Sequence, residues 1–142
     1  EEYPSLCERH QRPRPQIRLG RALREAGATS LNDVSDGLSS EINEIAKASQ
    51  VEIELFREKI PISVEAAKLG AYLAKDPVDW ALTGGEDYEL IGTISEENFR
   101  KLDPSLPISV IGQVVKAGGG CVYLSDRGKR KKLAAKGYDH FK

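Results

Sequence analysis

The sequence predicts an α+β domain, with a mixed, largely antiparallel sheet and helices packed on one face. Helical periodicity dominates the first half of the chain, strand-like runs cluster in the second half, and the alternation between them is too irregular for a doubly wound sheet. The length of 142 residues suits one domain. With 39% hydrophobic and 30% charged residues the chain is globular rather than disordered. Aromatic residues are few (Trp 1, Tyr 5, Phe 3), so the predicted core is aliphatic.

The opening residues read as a polar helix, and Gln11-Arg-Pro-Arg-Pro15 ends it, because prolines at alternate positions force extended backbone. From Ile17 to Ala28, Leu19, Ala22, Leu23 and Ala26 recur at helical spacing, with Gly27 as a stop. A second amphipathic helix is predicted over Gly37–Ser49, with Leu38, Ile42, Ile45 and Ala46 on one face. Val51–Leu55 alternates apolar and acidic residues, the pattern of a half-buried strand. A third helix follows over Val64–Ala74, then a short apolar stretch from Val78 to Leu82 and a break at Gly84-Gly85. Glu89–Ile94 reads as a strand, Ser95–Leu102 as a short helix capped by Ser95, and Ile108–Val115 as the clearest strand. Gly118-Gly119-Gly120 is expected to turn that strand into Cys121–Leu124 as a hairpin.

Composition excludes several functions. The 21 basic and 22 acidic residues leave a net charge of −1, which provides no global field for nucleic acid or an anionic membrane. Arg127-Gly-Lys-Arg-Lys-Lys132 has no aromatic interleaving for base stacking and reads as a solvated turn and helix start. No apolar run approaches the ~18 residues of a membrane span. The first residues lack the order of a signal peptide, and the absence of any methionine suggests a cut inside a longer protein, with the cytoplasm as the default location. Cys7 and Cys121 form no CxxC pair and read as two lone thiols. His10 and His140 have no carboxylate or cysteine at ligand spacing, and Trp80 reads as a core anchor.

Two segments carry candidate chemistry. Asn32-Asp-Val-Ser-Asp-Gly37 places Asp33 and Asp36 three apart, with the Ser35 hydroxyl between, directly before a helix. Oxygen donors of this kind suit magnesium, and a helix start favours phosphate. Carboxylates beside a phosphate repel it unless a cation lies between, so the coherent arrangement is carboxylate–metal–phosphate. By spacing alone, Asp36 equally suits a helix cap and Asp33 a turn. In Thr83-Gly-Gly-Glu-Asp-Tyr-Glu89 the paired glycines allow close approach to a ligand, and Glu86 can accept hydrogen bonds from an amino group. A strand-entry turn with solvated acids fits the same residues.

Together, Asp33-Val-Ser-Asp-Gly-Leu38 and Leu82-Thr-Gly-Gly-Glu-Asp-Tyr-Glu-Leu90 resemble signatures of thiamine-monophosphate kinase, within the aminoimidazole ribonucleotide synthetase-like superfamily. Arg12-Pro-Arg-Pro15 and Gly137-Tyr-Asp-His-Phe141 extend the resemblance over nearly the whole chain. The resemblance implies an ATP-dependent kinase that converts thiamine monophosphate to thiamine diphosphate. By position, Asp33 and Asp36 would bind Mg2+, Ser35 would contact ATP, Glu86 would hold the aminopyrimidine, and Phe141, with Tyr138, would pack on the substrate ring. No general base is assigned, because the attacking phosphate is already anionic. Residues 1–142 would then be one incomplete carboxy-terminal substrate- and nucleotide-binding domain. An absent amino-terminal domain would carry most metal ligands and the homodimer contact, and an opening strand and glycine turn would also be missing. The isolated domain is therefore expected to be inactive. Other readings are a superfamily enzyme with a different acceptor and a non-catalytic ligand-binding or dimerising module.

Overall fold

The computed structural model describes residues 3–136. Helix α1 (Pro4–Gln11) ends before the two prolines, and α2 (Ile17–Glu25) follows them. Strand β1 (Ser30–Asp33) leads into α3 (Leu38–Ser49), which passes through a left-handed Gln50 into β2 (Val51–Phe56). A short 3-10 turn, Arg57–Lys59, precedes α4 (Val64–Leu73) and α5 (Pro77–Thr83). Then come β3 (Leu90–Thr93), α6 (Glu96–Phe99), β4 (Gly112–Ala117), β5 (Cys121–Asp126) and β6 (Lys129–Lys132). Side-chain caps start three of these helices: Ser63 accepts from the Ala66 amide, Asp76 from Val78, and Ser95 from Asn98.

The predicted α+β class is correct, and its strands divide into two sheets. One is the antiparallel pair β1–β3; the other is four-stranded in the order β4-β2-β5-β6, with only β2–β5 parallel. Helix α3 contacts β1 and β3 of the first sheet and β2 and β5 of the second. It fills the space between them with Leu38, Ile42, Ile45 and Ala46, which meet Ile53, Leu55 and Val122 from the larger sheet and Ile91 from the smaller. Ile42, Leu55 and Val122 are 2%, 1% and 0% exposed; each such burial stabilises the fold by about 1.5–3 kcal/mol. The core is aliphatic, as composition predicts.

The other face of the four-stranded sheet is polar but not open. Glu52 is only 7% exposed, because Arg130 pairs with it and Lys116 lies 3.6 Å away. The Arg130 guanidinium holds the Glu52 carboxyl below its ordinary range and stacks 3.7 Å from the Tyr123 ring centre. Thus β2 alternates as predicted, but its acidic side is covered by cross-strand partners rather than solvated.

Several expected elements differ. The Gly118–Gly120 turn does not close a hairpin, because β4 and β5 lie on opposite edges of β2: Val51 pairs with Ala117 and Glu52 with Cys121. The glycines instead cross the start of β2. Gly118 donates to the Gln50 carbonyl at 2.5 Å, and all three have positive φ. The hairpin is β5–β6, turned by Arg127 and Gly128 at φ 48° and 77°. Residues 129–132, expected as a helix start, are therefore a strand; as an exposed edge, a run of cations guards it against further pairing. The strand predicted over Ile108–Val115 begins only at Gly112. The Phe56 N–H donates to the Ile111 carbonyl (2.8 Å), and no β2 residue remains opposite 108–110, because β2 ends at Phe56 and Arg57 begins the 3-10 turn. The apolar stretch Val78–Leu82 lies within α5, and β1 has no apolar alternation to announce it.

Candidate functional site

The two chemically promising segments meet at one end of the β1–β3 ladder. Within the ladder Asn32 pairs with Ile91 and Asp33 with Leu90. The pairing then continues past both strands: Val34 N donates to Glu89 O at 2.7 Å, Tyr88 N to Val34 O at 2.8 Å, and Glu86 N to Ser35 O at 2.7 Å. Backbone bonds therefore run the Asp33–Asp36 segment directly beside the Gly84–Glu89 loop. Gly37 seals the junction. Its φ of 102° and ψ of 150° are open essentially to glycine alone, and a Cβ there would stand 2.9 Å from the Thr83 carbonyl carbon and 3.0 Å from Leu82 O.

Ser35 and Asp36 are partly exposed and Asp33 is exposed. None of the ion pairs among the described residues engages Asp33 or Asp36. Asp36 does not cap α3 through its side chain, and Gly37 occupies the N-cap. Two oxygen-donor carboxylates left free beside a helix start fit a hard divalent cation. Among the described residues, however, no group of three or more His, Cys, Asp or Glu side chains could hold a metal ion. A cation here would take its remaining ligands from elsewhere.

Sequence reasoning missed Glu41. It lies in the first turn of α3, 4% exposed. Its carboxylate accepts from Asn32 Nδ2 at 2.5 Å, Ser35 Oγ at 3.2 Å and the Asp36 amide at 3.2 Å. The only available sequence signal is an acid five residues beyond Asp36 on the apolar side of an amphipathic helix.

The Gly84–Glu89 loop is built differently. Glu86 and Tyr88 both take left-handed φ, 65° and 55°, a cost of roughly 1 kcal/mol or more each for non-glycine residues. Helix α1 braces the loop from outside. Arg9 pairs with Glu89 and lies 3.7 Å from Asp87, while His10 Nδ1 stands 3.8 Å from Glu86. Gln16 donates to Glu89 at 3.2 Å. Desolvation raises the Asp87 carboxyl above its ordinary range, with Arg9 opposing the shift. His10, set aside as a metal ligand, therefore sits by the loop as a neighbour of Glu86.

Behind this loop lies a cavity of about 950 Å³, open to solvent and mostly apolar. Gly85, Glu86 and Asp87 form its acidic edge, and Leu38, Trp80 and Ile108 line its apolar wall. Trp80, expected as a core anchor, is half-buried on that wall. Glu86 thus faces a space large enough for a small molecule, whereas Asp33, Ser35 and Asp36 are not among the lining residues. Tyr138 and Phe141 lie outside the described residues. Cys7 and Cys121 are both free, as their separation predicts.

Residues 8–125 match the family described as AIR synthase related protein, C-terminal domain. The chain belongs to this family. Among its AIR synthase-related relatives, the thiamine-monophosphate kinase of Bacillus subtilis (strain 168) is 42% identical over 139 residues, covering 94% of this chain and 42% of the relative. The thiamine-monophosphate kinase of Pyrococcus horikoshii is 36% identical, covering 98% and 42% respectively. A solved structure of AaThiL complexed with AMPPCP and TMP superposes with a TM-score of 0.84 at 35% identity, over 99% of this chain and 42% of that one. The chain thus spans 42% of the length of these relatives. No helix among the described residues is long and apolar enough to cross a membrane.

Proposed function

We propose that this AIR synthase-related domain is the carboxy-terminal part of a cytoplasmic, ATP-dependent kinase that phosphorylates thiamine monophosphate to thiamine diphosphate. The observation that carries this reading is the direct backbone pairing of the two motif loops, Ser35 O with Glu86 N. It sets a metal- and nucleotide-type loop beside a loop facing an apolar cavity. The relatives' names and the AMPPCP- and TMP-bound neighbour support the same reading.

In this reading Asp33 and Asp36 hold Mg2+ and Ser35 contacts ATP. Glu86 accepts from the amino group of the aminopyrimidine across the cavity edge, and Phe141 and Tyr138 pack on the substrate ring. The cation, when bound, neutralises charge on the transferring phosphoryl group. A phosphate oxygen of thiamine monophosphate forms the new bond to the γ-phosphorus, and the β–γ bridging bond breaks with its electron pair on ADP. The acceptor oxygen is already anionic, so the chain's task is alignment and exclusion of water rather than proton removal. The remaining metal ligands and the homodimer contact come from an amino-terminal domain, which makes residues 1–142 by themselves inactive.

The test is a coupled ADP-release assay on the full-length protein with chromatographic detection of thiamine diphosphate. Turnover by the full-length protein and none by residues 1–142 is the expected result. Turnover with aminoimidazole precursors in place of thiamine monophosphate would reassign the acceptor.

A further inference from the structure

An acid near the start of a helix usually complements the helix dipole from a solvated position. Glu41 does something else. It is 4% exposed, and no cation pairs with it among the described residues. Its charge is met by the three donors of the Asn32–Asp36 segment: Oε2 by Asn32 Nδ2 (2.5 Å), Oε1 by Ser35 Oγ and the Asp36 amide (3.2 Å each). A buried carboxylate satisfied by one short segment constrains that segment, because any rearrangement of the donors leaves a desolvated charge unpaired.

The contact also sets the chemistry of Ser35. With its hydroxyl hydrogen given to Glu41, Ser35 Oγ offers only lone pairs to the outside. Such an oxygen suits a cation or a donor group of a nucleotide rather than a phosphate oxygen. Meanwhile the Asp36 amide is held by the buried Glu41, and no ion pair among the described residues engages the Asp36 carboxylate. Both oxygens of Glu41 accept from this segment, and at 4% exposure the side chain has little surface to offer a ligand.

We propose that Glu41 is a positioning residue: by binding Asn32, Ser35 and Asp36 it fixes the spacing of the Asp33 and Asp36 carboxylates and the direction of Ser35 Oγ. It thereby sets affinity for a divalent cation–nucleotide complex without touching it. This rests on the roles given above to Asp33, Ser35 and Asp36. It differs from a general charge effect in depending on the reach of the side chain.

Two substitutions separate reach from charge. Glu41→Gln keeps the reach and loses the charge: its amide oxygen still accepts from Ser35 and Asp36, and the Asn32 amide can turn to accept its NH2. Glu41→Asp keeps the charge and withdraws it by one methylene. Calorimetry of Mg2+ with AMPPCP on the full-length protein reads binding directly, independent of turnover. Glu41→Gln is expected to bind within about threefold of wild type and Glu41→Asp on the order of tenfold more weakly, within the range for losing an outer partner of a metal site. The KM for thiamine monophosphate should be unchanged in both. If Glu41→Asp binds better than Glu41→Gln, if both match wild type, or if both lose equally, the positioning role is wrong. Asn32→Ala, which removes one donor from outside the helix, should weaken binding less than Glu41→Asp and overturns the proposal if it binds as wild type. Asp36→Asn run in parallel isolates the premise: unchanged binding there overturns the metal reading and this inference with it. Loss there, with the Glu41 order reversed, overturns this inference alone.

Discussion

The two loops that meet at the β1–β3 end are held by opposite means. The Asn32–Asp36 segment is fixed from within, by a buried carboxylate that receives three hydrogen bonds. The Gly84–Glu89 loop is held by its backbone bonds to Val34 and Ser35 and by exposed pairs to α1, with Arg9 and Asp87 side chains each 55% exposed. It also carries two left-handed non-glycine residues. Exposed pairs are worth about 0–1 kcal/mol, far less than breaking a buried charged contact. Under the proposed roles, the loop that would present carboxylates to a cation has its spacing preset, whereas the one beside the apolar cavity is free to settle against a ligand. Each prediction below tests one side of that contrast.

The largest effect should come from Gly37, which packs where the two loops meet. Gly37→Ala forces a side chain into a conformation open essentially to glycine and against the Leu82–Gly84 backbone. Backbone strain together with overpacking should lower unfolding free energy by roughly 2–4 kcal/mol, measured by urea denaturation of the full-length protein. A loss under about 1 kcal/mol would mean that the loops separate cheaply and that their junction is not rigid.

The next effect tests the proposed assignment of a different ligand to each loop. Glu86→Gln leaves the Asp33–Asp36 segment intact but removes the charged acceptor at the cavity edge. A hydrogen bond to a charged group is worth about 1.5–3 kcal/mol, so the KM for thiamine monophosphate should rise roughly 10- to 100-fold. The magnesium concentration for half-maximal activity should stay as in wild type. Equal changes in both would erase the division of labour between the loops.

The fold and the candidate site are only partly legible in the residues. Local helical signals were strong: Gln11-Arg-Pro-Arg-Pro15 ends α1 where two prolines must, and the apolar face of Leu38, Ile42 and Ile45 packs as its spacing requires. Strand pairing was not local. Gly118–Gly120 carries the composition of a hairpin turn, yet it crosses over β2, because which strand fills the space between β4 and β5 depends on residues some 60 positions earlier. The candidate site follows the same rule. Asp33, Ser35, Asp36 and Glu86 announced themselves through glycine and acid patterns, and the ladder brings their loops together. Glu41 did not, because a buried acid on an otherwise apolar helical side looks like any surface glutamate until its donors are seen.

The smallest effect lies in the outer bracing and depends on pH. Asp87 has an ordinary pKa of 3.8 and a raised one in the folded protein, chiefly through desolvation, with Arg9 pulling it back and Glu89 adding to the rise. A raised folded pKa means that the native state binds more protons than the unfolded chain as pH climbs from 3.8 toward the folded value. Stability from this group is therefore fully present below 3.8 and is lost as pH rises through that window. Asp87→Asn removes the titration, so it should stabilise the protein slightly at pH 7, with the gain shrinking to nothing as pH falls below 3.8. Because the side chain is 55% exposed, solvent screening keeps the gain below about 1 kcal/mol. Arg9→Ala should act in the opposite sense at pH 7, since it removes the guanidinium that opposes the shift and the partner of Glu89. Thermal melts of the three proteins between pH 3 and pH 7 would read both. If Asp87→Asn instead destabilises at neutral pH, the Arg9 pair outweighs desolvation, and the Gly84–Glu89 loop is fixed by charge as firmly as its neighbour is by Glu41.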